Sequence, residues 1–145
     1  MRSFRVAVDL GARDGAFARA LAASDAAERV GLLIETDLSA RMLSGRSAPR
    51  LLADEEHLPF ADESLDLVVS TLALHWVNDV PGAMIQIRRA LKPDGLFLGV
   101  IFGGATLTEL RQSLVAAEAQ ISEGAGLRVS PFADAYDATQ LLQRA

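Results

Sequence analysis

Five short apolar runs, each stopping at a glycine or a polar residue, alternate along this chain with segments whose apolar residues recur every three or four positions. The first run, Phe4 to Leu10 (FRVAVDL), stops at Gly11, and residues 14–23 then carry Phe17, Ala18 and Leu21 on one helical face. The second, Val30 to Glu35, ends at an acidic tip. Asp37-Leu38-Ser39 follows, with Ser39 placed to cap a short helix that holds Met42 and Leu43. Arg50 to Ala53 reads as a brief third strand. Leu65 to Leu72 is continuously apolar, as a strand buried on both faces must be. Leu96 to Phe102 is the fifth.

Helix signals fill the later gaps. Asn78 or Asp79 caps a helix with Pro81 in its first turn, and Val80, Ala83, Met84, Ile87 and Leu91 give it one apolar stripe. Lys92-Pro93-Asp94-Gly95 is a strong turn signal that ends it. Thr106-Leu107-Thr108-Glu109 has the spacing of a capping box, opening a helix striped by Leu107, Leu110, Leu114, Ala117 and Ile121. Strands alternating with helices predict an α/β fold: a doubly wound, mostly parallel sheet with helices on both faces and right-handed crossovers. The 145 residues are expected to form a single domain, with Gly124 to Ala135 as its one loose segment.

Composition narrows the chemistry. Half the residues are apolar, enough for one core, and the net charge is −5 with arginines scattered along the chain, which disfavours an electrostatic nucleic-acid surface. There is no cysteine, so disulfides and thiolate chemistry are excluded, and His57 and His75 are too few for a typical zinc site. No apolar stretch reaches the roughly 20 residues that span a bilayer, and the expectation is a soluble intracellular protein.

Ligands of doubly wound sheets bind beyond the carboxyl ends of the strands, where the strand order reverses. Three such tips here are polar. Asp9-Leu10-Gly11-Ala12-Arg13-Asp14-Gly15 offers glycines that let backbone turn sharply and approach a ligand. Asp37 is placed to accept from both hydroxyls of a ribose, and Asp54-Glu55 from an exocyclic adenine amine. Taken singly, a glycine turn merely starts a helix and an acidic tip is a solvated cap; together, on the first three strands, they make a convergent adenosine site. A dinucleotide fold is the nearest competitor, but its G-x-G-x-x-G is met only by Gly11, with Arg13 and Ala16 at the other two positions, so a pyrophosphate lacks its close approach.

These residues resemble class I S-adenosylmethionine (SAM) methyltransferases of the type 11 group, whose strands are followed by D-x-G-x-G-x-G, by an acidic residue in D-x-S, and by D-x-x-x-L-P-F. The counterparts are Asp9 to Gly15, Asp37-Leu38-Ser39, and Asp54 with Leu58-Pro59-Phe60. Residues 53–114 are similar to the mitochondrial complex I assembly factor 5 family and its bacterial relatives, and more distantly to malonyl-carrier-protein methyltransferases. The resemblance implies S-adenosylmethionine as cofactor. It implies that Asp9 and Gly11 address the cofactor's amino-acid end, Asp37 the ribose, and Asp54 with the Glu55 backbone the adenine, with Ser70 beneath the sulfonium and Ala12, Gly15 and Leu38 as further cofactor-binding residues. Arg13 stands where the family has its middle glycine; its side chain either pairs with the cofactor carboxylate or crowds the pocket. Against the family's pattern, a helix before the first strand and a final antiparallel strand pair are missing, so the chain is expected to be truncated at both ends.

Transfer of an already activated methyl group asks the protein chiefly for proximity and alignment. His75, just past the fourth strand, is the candidate base for an unknown acceptor, with a loop-fixing histidine as the alternative. Trp76 either lines the acceptor pocket or packs on the next helix, and His57 is expected in an exposed loop. The assembly-factor resemblance also implies a second activity, hydroxylation of an arginine on a respiratory complex I subunit, and a non-catalytic binding module is a third reading. The compartment implied is the cytoplasm of a bacterium or the mitochondrial matrix.

Overall fold

The computed structural model describes residues 2–46, 48–121, 126, 128–129 and 132–144, so parts of the segment read as loose lie outside the described residues. The first strand, β1 (Phe4–Leu10), has the bounds its apolar run predicts, and α1 (Ala16–Ala22) follows the glycine turn. β2 (Val30–Asp37) runs two residues past the expected Glu35, making Asp37 its last residue. In α2 (Ala40–Leu43) the Ser39 side chain caps as expected, accepting from the Met42 N–H. β3 (Arg50–Leu52) and β4 (Leu65–Thr71) follow, then a 3-10 turn over Leu74–Trp76. Asp79 caps α3 (Val80–Ala90) through the Gly82 N–H, with Pro81 in the first turn, where a missing N–H does no harm. The last elements are β5 (Leu91–Val100), α4 (Thr108–Ile121) and α5 (Ala135–Arg144).

All strand pairs in the sheet are parallel, in the order β3-β2-β1-β4-β5. The chain thus winds outward from β1 through β3, returns, and winds the other way through β5, so the order reverses between β1 and β4. Side chains alternate across the sheet. On one face Val8, Leu10 and Val68 pack with Met84, Ile87 and Ala90 of α3, and on the other Ala7, Leu67 and Val69 pack with Phe17 of α1.

Two stretches depart from the expected local structure. The Lys92-Pro93-Asp94-Gly95 turn does not precede the fifth strand but interrupts it: β4 advances from Leu65 to Leu67 while β5 advances from Leu91 to Leu96, and Asp94 takes a φ of 62°. Parallel pairing begins at Leu91, and the four turn residues loop out. The capping box at Thr106 also fails to form. The helix begins at Thr108, Leu107 just before it sits at φ 58° where the first helical residue was expected, and the Thr106 N–H donates to Gly103 O, closing a tight turn ahead of it.

Backbone contacts divide the chain into two compact units, the sheet unit running to Ile101 and a second comprising Phe102–Gln143. Within the second, Phe102 and Phe132 meet edge to face at 5.6 Å, and Arg128 pairs with Glu118. No helix among the described residues is long and apolar enough to cross a membrane.

Candidate functional site

The turn after β1 is built by hydrogen bonds to β2. The Ala12 N–H donates to Thr36 O at 2.7 Å, and the Gly15 N–H returns to Ala12 O at 2.8 Å. Gly11 and Gly15 adopt left-handed backbone at φ 69° and 75°. A Cβ on Gly11 would lie 2.3 Å from the Ala73 Cβ and 3.0 Å from Glu55 Oε1; one on Gly15 would strike the guanidinium of Arg46. Gly11 therefore requires glycine on two counts, conformation and space, whereas Gly15 requires it for its conformation, only the ends of the Arg46 and Glu35 side chains standing in the way. Arg13 adopts the same left-handed region at φ 50° in place of the family's middle glycine, so the loop keeps its path at the expense of some strain. Its side chain is exposed, at the rim of the cleft and not filling it.

Asp37, 8 % exposed, ends β2 with its carboxylate aimed at this turn: Oδ2 accepts from the Arg13 N–H and Oδ1 from the Ser39 N–H, each at 2.8 Å. Leu38 beside it is exposed. Asp9 is paired in register with Glu35 on β2, and each is 1 % exposed. Glu35 is held by an ion pair with Arg46, whereas neither oxygen of the Asp9 carboxylate has a partner. Burial, then the neighbouring Glu35 charge, push the Asp9 carboxyl up to about 7; Arg46 opposes this and Asp37 adds to it.

A cleft of about 390 Å³ opens over Asp9 and the turn, lined by Asp9, Gly11, Ala12, Arg13, Phe17 and Met42 and closed by Thr71 and Leu72 at the end of β4. That is within the range of small-molecule sites. A larger hollow, about 550 Å³, lies on the other side of the turn against Leu33, Glu35 and Arg46. It meets the turn only at Asp14 and Gly15 and lies against β2, away from the point where the strand order reverses between β1 and β4, so the smaller cleft is the functional candidate.

Past β3, Asp54 and Glu55 sit in a tight turn in which Asp54 Oδ1 accepts from the Glu56 N–H and Asp54 O from the His57 N–H. Glu55 is half-buried with its carboxyl close to Gly11, and burial first, then the charges of Asp37, Asp54 and Glu56, raise its pKa. His57 is exposed, as expected. His75 lies half-buried in the 3-10 turn with its ring 5.2 Å from that of Trp76; burial and then the Arg13 charge lower its pKa, favouring the neutral imidazole. Trp76 is 76 % exposed, so it does not pack into the next helix.

Ser70 does not join this group. In register with Leu10 and Gly99, it is wholly buried inside the sheet and, by alternation, faces the α3 side with Val68, opposite to Asp9. Thr71 and Leu72 reach the cleft instead. Glu35, Arg46, Met42, Thr71 and Leu72 are contributors that the sequence did not single out. Glu35 is visible as an acidic strand tip; for Arg46, a lone charge after a short helix, there is no local signal.

The parallel order, the reversal at β1 and β4, and a glycine turn with carboxylates at three strand tips define a nucleoside-binding α/β domain. The chain belongs to the methyltransferase domain family, which it matches over residues 8–99. It is 44 % identical to the mouse protein named arginine-hydroxylase NDUFAF5, mitochondrial, over 99 % of this chain and 42 % of the mouse chain. It is 38 % identical to the malonyl-[acyl-carrier protein] O-methyltransferase of Geobacter sulfurreducens, over 95 % of this chain and 54 % of that one. An S-adenosylmethionine-dependent methyltransferase structure from Mesorhizobium loti superposes with a TM-score of 0.61 at 30 % identity, covering 73 % of this chain and 49 % of the other. The chain spans about two-fifths of the length of the mitochondrial relatives it matches.

Proposed function

We propose that the cleft over Asp9 and Gly11, together with Asp37 at the neighbouring strand tip, binds S-adenosylmethionine and that the domain serves methyl transfer to an acceptor. The observation that carries this reading is the Asp9 carboxylate, fully buried at the floor of the cleft with both oxygens unsatisfied. A buried carboxylate without a partner is unfavourable until a cation or donor reaches it, and the cofactor's ammonium group supplies both. The surrounding carboxylates Asp37, Asp54 and Glu55 suit a ligand with a positive sulfonium and disfavour an anionic pyrophosphate.

When bound, the cofactor supplies a methyl group already activated on a sulfonium. The chain's residues then bind and orient. Asp37, whose oxygens each retain acceptor capacity beyond one backbone N–H, holds the ribose hydroxyls. Asp54 and Glu55 accept from the adenine amine, Leu38 covers the sugar face, and Gly11, Ala12 and Gly15 give backbone access. His75, kept neutral by burial and by Arg13, takes a proton from an acceptor that must lose one. Single-domain behaviour of residues 1–145 belongs to the same reading. The acceptor is a small molecule or a protein subunit.

The name of the mouse relative favours a second reading, in which the acceptor is a protein arginine, such as one on a respiratory complex subunit in mitochondria, and the chemistry is hydroxylation. Titration of S-adenosylhomocysteine into wild type and Asp37→Ala tests the shared cofactor site, and lack of binding by wild type rejects both. Release of S-adenosylhomocysteine during turnover then separates methyl transfer from hydroxylation.

A further inference from the structure

The turn that carries Asp54 and Glu55 is weakly held by the strand that delivers it. All three residues of β3 are exposed, and β3 pairs with β2 on one side only. The turn is held instead from the far side, by α3. The Gln86 side chain donates from Nε2 to Glu56 O at 2.7 Å and accepts from the Leu58 N–H through Oε1 at 3.0 Å. A primary amide used in this way mimics a strand neighbour, satisfying a carbonyl and an N–H two residues apart in a half-buried place where water would otherwise be needed. The brace is doubled at Glu56, whose Oε1 accepts from the Asn78 N–H at 2.7 Å and from Asn78 Nδ2 at 2.9 Å. Leu58 and Phe60 then pack against the cluster formed by Val8, Leu10, Met84 and Ile87.

We infer that Gln86 is a positioning residue for base recognition: by fixing residues 56 and 58 it sets the acceptors of Asp54 and Glu55 and so selects a purine with a 6-amino group over one with a 6-oxo group. The inference rests on the proposed cofactor reading. A 6-amino group donates to carboxylates, whereas a 6-oxo group presents an acceptor to them, so discrimination depends on the turn being rigid. Rotation or slippage of the turn lets water mediate either base and erodes the difference.

The test compares S-adenosylhomocysteine with S-inosylhomocysteine, which differ at that one position, by calorimetric titration of wild type, Gln86→Met and Gln86→Glu. Wild type is expected to prefer the adenosyl ligand by about a hundredfold or more, and Gln86→Met, with similar volume and no hydrogen bonds, to reduce the preference to about tenfold or less. Gln86→Glu keeps the acceptor for Leu58 and loses the donor to Glu56, so its preference falls between the two; it carries the test if Gln86→Met does not fold, which circular dichroism reports. A wild-type preference retained in full by the variant overturns the role of Gln86 and leaves the cofactor site standing. Failure of wild type to bind S-adenosylhomocysteine removes the cofactor reading itself. A purely structural role would weaken both ligands equally and leave their ratio unchanged, which also overturns the inference.

Discussion

The Arg13 backbone N–H donates to Asp37 Oδ2 at 2.8 Å, so the turn after β1 and the tip of β2 form one hydrogen-bonded unit, with Ser39 bound to the other oxygen of the same carboxylate. Asp37 therefore shapes the loop before any ligand arrives. Asp37→Ala leaves two backbone donors without their charged acceptor and is expected to lower the unfolding free energy by about 2–4 kcal/mol, read from urea denaturation. Asp37→Asn keeps one acceptor and should lose about half as much. S-adenosylhomocysteine binding by the alanine variant is expected to disappear at concentrations that saturate wild type, while the asparagine variant binds weakly.

Gly11 meets Ala73 where a Cβ has no room, with 2.3 Å between the built atom and the Ala73 Cβ, at a φ of 69°. Gly11→Ala is expected to destabilise by about 1–3 kcal/mol, combining left-handed strain with the clash. Adding Ala73→Gly removes the clash but not the strain, so a double-mutant cycle should return a favourable coupling of about 1 kcal/mol. Additive single effects would locate the penalty in backbone conformation alone.

Much of this arrangement is legible in local sequence because it is made of local signals. The β1 bounds, the Ser39 and Asp79 caps and the glycine turn each depend on residues within a few positions of one another. What the sequence conceals is set by register. Asp9 and Glu35 are 26 positions apart and become neighbours only through parallel pairing. Ser70 illustrates the converse: in a strand apolar on both faces no polar alternation marks which side a residue takes, so only the register shows that it faces the α3 side. The Thr106 capping box has the right letters, yet the helix starts two residues later. Gln86 is invisible for a related reason, since its partners are main-chain atoms, which leave no trace in side-chain identity.

Arg46 neutralises Glu35 where Glu35 faces Asp9, and both acids are 1 % exposed. Removing the cation leaves a buried carboxylate beside a second one. Arg46→Met is expected to destabilise by about 3–5 kcal/mol at pH 8, and adding Glu35→Gln to recover most of that loss, because the pair as a whole contributes far less than either half left alone. Equal instability of the single and double variants in chemical denaturation would assign the effect to packing.

His75 owes part of its lowered pKa to the Arg13 charge, after burial. Arg13→Gly removes that charge and relieves the left-handed strain, so the imidazole should titrate closer to its ordinary 6.5 than in wild type. Proton NMR titration of the ring signals reads this directly. An unchanged titration curve would leave burial as the sole cause and remove Arg13 from any account of how the candidate base is kept neutral.

Asp9 gives the domain a pH dependence whose sign is fixed by its surroundings. Its carboxyl titrates near 3.8 when unfolded and is pushed up to about 7 in the folded state, by burial first and by Glu35 second. Between those values the folded protein holds a proton that the unfolded chain has released, so stability is full below about pH 4 with respect to this group and falls as the pH rises through 7, by up to about 4 kcal/mol. Asp9→Asn should flatten that slope, raising the melting temperature at pH 8 while changing it little at pH 4. Binding runs the other way. A cationic ligand group favours the ionised carboxylate, so the wild-type affinity for S-adenosylhomocysteine should rise from pH 6 to pH 8 with release of a proton, detected as a dependence of the binding enthalpy on the buffer's ionisation enthalpy. Asp9→Asn should bind more weakly at pH 8 and lose the linkage. A variant whose stability slope matches wild type would place the missing proton elsewhere, with Glu55, whose pKa is also raised, as the next residue to replace.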